Sequence, residues 1–164
     1  MFPQSVMVLA RFTSDGKVSL IFIYRNVKIN SQVYQETVLK DVLLPLLTSH
    51  IDQQLFIFQQ YWAPSHGSKS TKEVLDAHFP AYWGKDLWPA SSPVLNLLDN
   101  PVWGFLGQNV MALSHSNLNS LKKAFLKAWN EINKGYLRRT VDSFPTCLKV
   151  YIEGKGSNFE HLLK

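Results

Sequence analysis

SVMVLARFTSDGKVSLIFIY, residues 5–24, reads as two apolar runs, Val6–Phe12 and Val18–Tyr24, set around Thr13-Ser14-Asp15-Gly16-Lys17. Both runs are rich in β-branched and aromatic residues, and Asp-Gly between such runs is a strong hairpin signal, because both turn positions must tolerate positive φ. A hairpin over 5–24 is therefore predicted. Working outward, the apolar residues Val33, Tyr34, Val38, Val42 and Leu46 recur every three to four positions and predict a helix over 31–47, with Pro45 kinking its last turn. Leu55-Phe56-Ile57-Phe58 is then a short continuous apolar run, which suits a strand over 55–61 covered on both faces. Hairpin, helix and buried strand in succession predict an α/β class with helices on the faces of a sheet.

The remainder is helical in pattern. Ser70 and Glu73 have capping-box spacing and predict a helix over 70–79 that Pro80 ends. Residues 81–94, rich in Trp, Pro and Ser, predict a short strand and a loop. From 96 to 154 a helical region follows. Asn96 can cap a helix carrying Leu98, Val102, Phe105 and Leu106, and Asn117 opens another with Leu118, Leu121, Phe125, Trp129 and Ile132 on one face. Gly135 is expected to stop that helix, and Tyr136–Asp142 with Pro145–Glu153 to form a broken pair ending at Gly154.

Composition narrows the function classes. The chain has 164 residues, 46% of them hydrophobic and only 18% charged, which excludes a disordered tail or a solvated coiled coil and fits one domain. No run reaches the roughly 18 apolar residues of a membrane span, and residues 1–5 begin no secretory leader. Cys147 is the lone cysteine, so neither an intrachain disulfide nor a cysteine-built zinc site can form. The net charge of +5 is uneven: residues 122–164 hold nine basic and four acidic side chains, and the preceding residues sum to zero.

Sites in open α/β sheets gather beyond the carboxyl ends of strands. Two segments qualify: Gln60-Tyr61-Trp62-Ala63-Pro64-Ser65-His66, and the loop with Ser92, Asn96 and Asp99. Each has a plainer explanation as well. Asp99 stands three residues after a candidate N-cap, where a carboxylate favours the helix dipole, and His66 suits a hydrogen-bonded loop. The remaining histidines, 50, 78, 115 and 161, lack metal-ligand spacing. No phosphate loop, nucleophile elbow or triad pattern is present.

Four ordered segments carry a resemblance: residues 5–23, FQQYWAPSH (58–66), WPASSPVLNLLDN (88–100) and SFPTCLKVYIEGKGSNFE (143–160). Together they resemble the catalytic domain of mariner-type DNA transposases, over nearly the whole chain. The resemblance implies a ribonuclease H-like mixed sheet in which three carboxylates hold two divalent ions, usually Mg²⁺, to cut and join DNA. Such ions need hard oxygen ligands and several anions to hold a pair of them together. On that pattern the first aspartate belongs to a central strand ahead of the hairpin, outside this chain, so the sheet is expected to lack its first strand. The second aspartate position is Tyr61, a phenol that is neutral at pH 7. The third matches Asp99, the one metal-binding carboxylate expected to survive. His66 falls on a motif histidine. The helix-opening proline of the family is Leu97, and Pro101 stands where a helix interior is expected.

The expected reading is therefore a transposase-derived nucleic-acid-binding domain, residues 1–164, without catalytic power and without the family's N-terminal helix-turn-helix module. Weak, non-specific DNA contact is expected through Lys122, Lys123, Lys127, Lys134, Arg138 and Arg139. The alternatives are a protein-interaction or dimerisation module, with a homodimer or a full-length transposase as partner, and a fragment of an active metal-dependent transposase. A nuclear location follows from the resemblance, or a cytoplasmic one if the chain has no targeting signal. No membrane partner is expected.

Overall fold

The computed structural model describes residues 6–23, 27–45, 56–61, 63–84 and 95–154, except the side chain of Asn100. Their contacts group into two compact units, one of Met1–Val27 with Ser92–Lys164 and one of Lys28–Ser91.

In the first unit the hairpin forms as its Asp-Gly turn predicts. Strands β1 (Met7–Leu9) and β2 (Ile21–Ile23) pair antiparallel, Met7 opposite Ile23 and Leu9 opposite Ile21. Toward the tip, Phe12 bridges Lys17, and Thr13 N–H donates to Gly16 O at 2.7 Å. Inward-facing Ala10 and Leu20 pack with Val102, Leu106, Val110, Leu121, Ala128, Trp129, Ile132 and Leu137 into one apolar core. Three helices supply the rest of that core, and each departs from its sequence pattern in one respect.

Helix α3 opens with a widened π-type turn, Leu98–Val102, before regular α geometry over Trp103–Met111. The widening coincides with Pro101, which has no N–H to donate and whose ring would crowd a regular turn. Pro101 O instead accepts the Tyr136 hydroxyl at 2.7 Å. Helix α4 (Leu118–Glu131) starts where predicted, with a reciprocal capping box between Asn117 and Ser120. It ends earlier than Gly135: Ile132 turns extended (φ −67°, ψ 111°), and Asn133 caps a new helix, α5 (Lys134–Glu153), by accepting from Tyr136 N–H. Gly135 therefore lies in the first turn of α5 rather than after α4. The expected break before Pro145 is absent, and α5 runs through it to Gly154. The same helix buries Leu137 and Thr140 in the turns before Pro145.

In the second unit Asn30 caps α1, whose first turn, Ser31–Val33, continues as a wider π-type helix over Tyr34–Leu43; Leu44 N–H donates five residues back to Leu39 O. The wider turn moves the buried face to Tyr34, Val38, Leu39 and Leu43, so Val42 is only half-buried where a regular helix would bury it. Helix α2 spans Lys69–His78 and buries Thr71 and Leu75. Its cap is Ser68, which accepts from Thr71 N–H, in place of Ser70. Of the strand expected over 55–61, Phe58 makes an isolated parallel bridge to Tyr82: Phe58 N–H donates to Ala81 O at 2.9 Å and Trp83 N–H to Phe58 O at 3.1 Å. Leu55, Trp62 and residues 85–94, including Ser92, lie outside the described residues. No helix among the described residues is long and apolar enough to cross a membrane.

Candidate functional site

The predicted site residues fall into three local settings. Asp99 sits in the π-type turn of α3 with an exposed side chain. Asn96 organises it: Asn96 Oδ1 accepts from Leu98 N–H at 3.2 Å, Asn96 O accepts from Asp99 N–H at 3.0 Å, and Asn96 Nδ2 donates to Asp99 Oδ2 at 2.9 Å. This is an Asx-type turn, in which the side chain stands in for backbone. Partial loss of water raises the Asp99 carboxyl above its ordinary value, and the Asn96 amide works against that rise.

Tyr61, Gln60 and His66 make a second, tighter corner. Tyr61 is 56% exposed. Its carbonyl accepts from His66 Nδ1, which must carry the proton because a carbonyl cannot donate. The half-buried imidazole stacks on Tyr34, centroids 4.0 Å apart and planes 25° from parallel. Tyr34 donates its hydroxyl to Gln60 Oε1, while Gln60 Nε2 donates to His66 O at 3.3 Å. His66 N–H and Gly67 N–H both return to Ala63 O. Gln60 is 8% exposed, so these bonds offset a desolvation that would otherwise cost about 1–3 kcal/mol. His66 is thus a brace of the turn, and the phenol of Tyr61 points out beside it.

The third setting is basic. Lys123 and Lys127 lie one turn apart on α4, exposed and without an ion pair among the described residues, and Arg139 on α5 is likewise exposed and unpaired there. Lys122 is half-buried with its ammonium 5.5 Å over the Phe22 ring, which ties it to the hairpin. Lys134 belongs to α5 rather than to the helix of Lys123 and Lys127. With Arg138, one turn on, it reaches a single atom: Asp15 Oδ1 accepts Lys134 Nζ at 3.1 Å and an Arg138 guanidinium nitrogen at 3.0 Å. Lys134 first, then Arg138, holds the Asp15 carboxyl below its ordinary value. Beside it, Lys17 Nζ donates to the Trp129 and Ile132 carbonyls at the end of α4 and lies 5.5 Å over the Trp129 ring, whose Nε1 donates to Val18 O at 2.9 Å. Burial lowers the Lys17 ammonium from its usual range. Asp15 and Lys17 had been legible as turn residues alone. Nothing local announces partners more than 110 residues away.

No protein-family model matches the chain, and no curated protein sequence does. Solved structures match closely in shape: the Mos1 transposase catalytic domain with Raltegravir and Mn superposes with a TM-score of 0.82 at 17% identity, over 96% of this chain and 78% of that one. The fold is that of the mariner transposase catalytic domain. A second structure, the catalytic domain of Mos1 mariner transposase, gives 0.82 at 17% identity over 95% of this chain and 76% of the other. The Mos1 paired-end complex with its left transposon end gives 0.83 at 18% identity, over 96% of this chain and 46% of that one. The ribonuclease H-like α/β class follows directly from this likeness.

Mos1 structures contain Mn or Mg, so the residues here can be asked whether they suit such an ion. Among the described residues they do not: no three His, Cys, Asp or Glu side chains there gather as a ligand cluster. Asp99 is one carboxylate engaged with Asn96, and Tyr61 offers a phenol in place of a carboxylate; a two-ion centre needs several anionic oxygens. Asp99 lies in the first unit of the mariner fold, and Tyr61 and His66 in the second.

Proposed function

We propose that this chain is a mariner-derived DNA-contacting domain that has lost DNA cleavage, acting on nucleic acid in the nucleus. The observation that carries the reading is a division of residue types. Lys123, Lys127, Lys134, Arg138 and Arg139 stand exposed on α4 and α5, while among the described residues no three His, Cys, Asp or Glu side chains gather. The solved relatives of this fold include a complex with a transposon end, which makes a DNA backbone the natural polyanion for those cations. Contact of this kind is sequence-independent, because phosphates carry no base information. It is also salt-dependent, because each neutralised phosphate releases counterions.

A fluorescence-anisotropy titration of a short duplex against the chain, repeated from low to moderate salt, tests it. With three to five phosphates neutralised, log K should fall against log salt with a slope of about −3 to −4.5. A Lys123→Ala/Lys127→Ala double variant should make the slope shallower by up to about 2. Affinity indifferent to salt would overturn the phosphate-contact reading.

A further inference from the structure

The hairpin tip places an acid among the cations assigned above to DNA. Asp15 Oδ1 is shared between Lys134 Nζ and the Arg138 guanidinium, and all three side chains are more than half exposed. Lys134 and Arg138 stand one helical turn apart on α5, so they converge on one anion from the same side, which is the arrangement a phosphodiester oxygen would also find. The tip is anchored independently of that pair: Lys17 caps α4, Trp129 holds Val18 O, and Thr13 closes the turn on Gly16. Asp15 is therefore held in place whether or not the two cations stay on it.

From this geometry we infer that Asp15 is a built-in competitor for the DNA backbone, occupying Lys134 and Arg138 and limiting the affinity of the basic face. The inference rests on the DNA-contact reading and refines it. Exposed ion pairs are worth little in water, so the Asp15 contact does not abolish use of the two cations; it lowers the gain from using them. Lys123, Lys127 and Arg139 carry no such partner among the described residues and are available from the outset.

Asp15→Asn is the sharp test, because Asn-Gly serves the same turn as Asp-Gly and retains the backbone bonds of the tip. Against the same duplex, it should bind roughly two- to fivefold more tightly at low salt, with a slope steeper by about 1 to 2. Asp15→Glu retains the charge and should behave as the wild type. Lys134→Gln should weaken binding of the wild type less than it weakens the Asp15→Asn background, an interaction a double-mutant cycle reads. If Asp15→Asn leaves affinity and slope unchanged while the wild type binds with the expected slope, the competitor is overturned and the DNA-contact reading stands. If only Asp15→Asn binds, the competitor stands and the wild-type reading falls. If neither binds, or Asp15→Glu tightens as much as Asn, the competitor is overturned.

Discussion

Two corners of the molecule are dense in hydrogen bonds, and they are built in opposite ways. At the hairpin tip, Asp15, Lys17 and Val18 reach Lys134, Arg138, Trp129 and Ile132 across more than 110 residues of sequence, and the Asp15 ion pairs stay at the surface. At the turn after Phe58, Gln60, Tyr61 and His66 satisfy one another and Tyr34 across 26 residues or fewer, and the polar atoms turn inward. The contrast separates residues that build a turn from a side chain the turn leaves free. Gln60 and His66 are scaffold, held by bonds that shape the turn. Tyr61 is exposed and owes the turn only its carbonyl, so its side chain is free of structural demand.

The comparison can be broken most severely at Trp129. Its side chain is 2% exposed and its indole N–H is donated to the hairpin, so Trp129→Ala should cost about 3–5 kcal/mol of unfolding free energy in a denaturant melt. Next in size, Tyr34→Phe leaves the buried Gln60 carbonyl oxygen without its donor and should cost about 1–3 kcal/mol. Tyr61→Ala, in the same turn, should stay within about 0.5 kcal/mol of the wild type, as surface changes do. A Tyr61→Ala loss as large as that of Tyr34→Phe would erase the distinction between scaffold and side chain drawn above. The smallest effect concerns pH at the tip. Because Lys134 and Arg138 depress the Asp15 carboxyl, its contribution is intact above the ordinary carboxylate range. It is lost as pH falls through the lowered folded value, so acid should free Lys134 and Arg138 from Asp15 while the turn itself stays closed. An NMR titration of the Asp15 carboxyl, with amide exchange at Gly16, would read both.

The sequence was legible where a local rule sufficed. Asp15-Gly16 announced the hairpin, Asn117 the start of α4 and Gly154 the end of α5. It was opaque where tertiary partners decide. No glycine ends α4; the Lys17 ammonium takes the Trp129 and Ile132 carbonyls, and Asn133 then starts a new helix. The buried face of α1 shifted because its turns are wider than the pattern assumed, and Pro101 was absorbed by a wide turn with Tyr136 supplying a donor. At the site, the places given to Tyr61 and Asp99 come from resemblance alone; what the fold adds is the surroundings of each, the Asn96 amide on Asp99 and the exposed phenol of Tyr61. The link of Asp15 to Lys134 and Arg138 could not be read from the sequence, since only the folded chain brings a turn and a helix so distant in sequence together.

Plasmid nicking in Mg²⁺ tests most directly the proposed pairing of a DNA-contacting basic face with lost metal chemistry. Wild-type chain, at a concentration that binds supercoiled plasmid, should leave it uncut at the level of a protein-free control. Mg²⁺-dependent nicking that disappears in Asp99→Ala would contradict it.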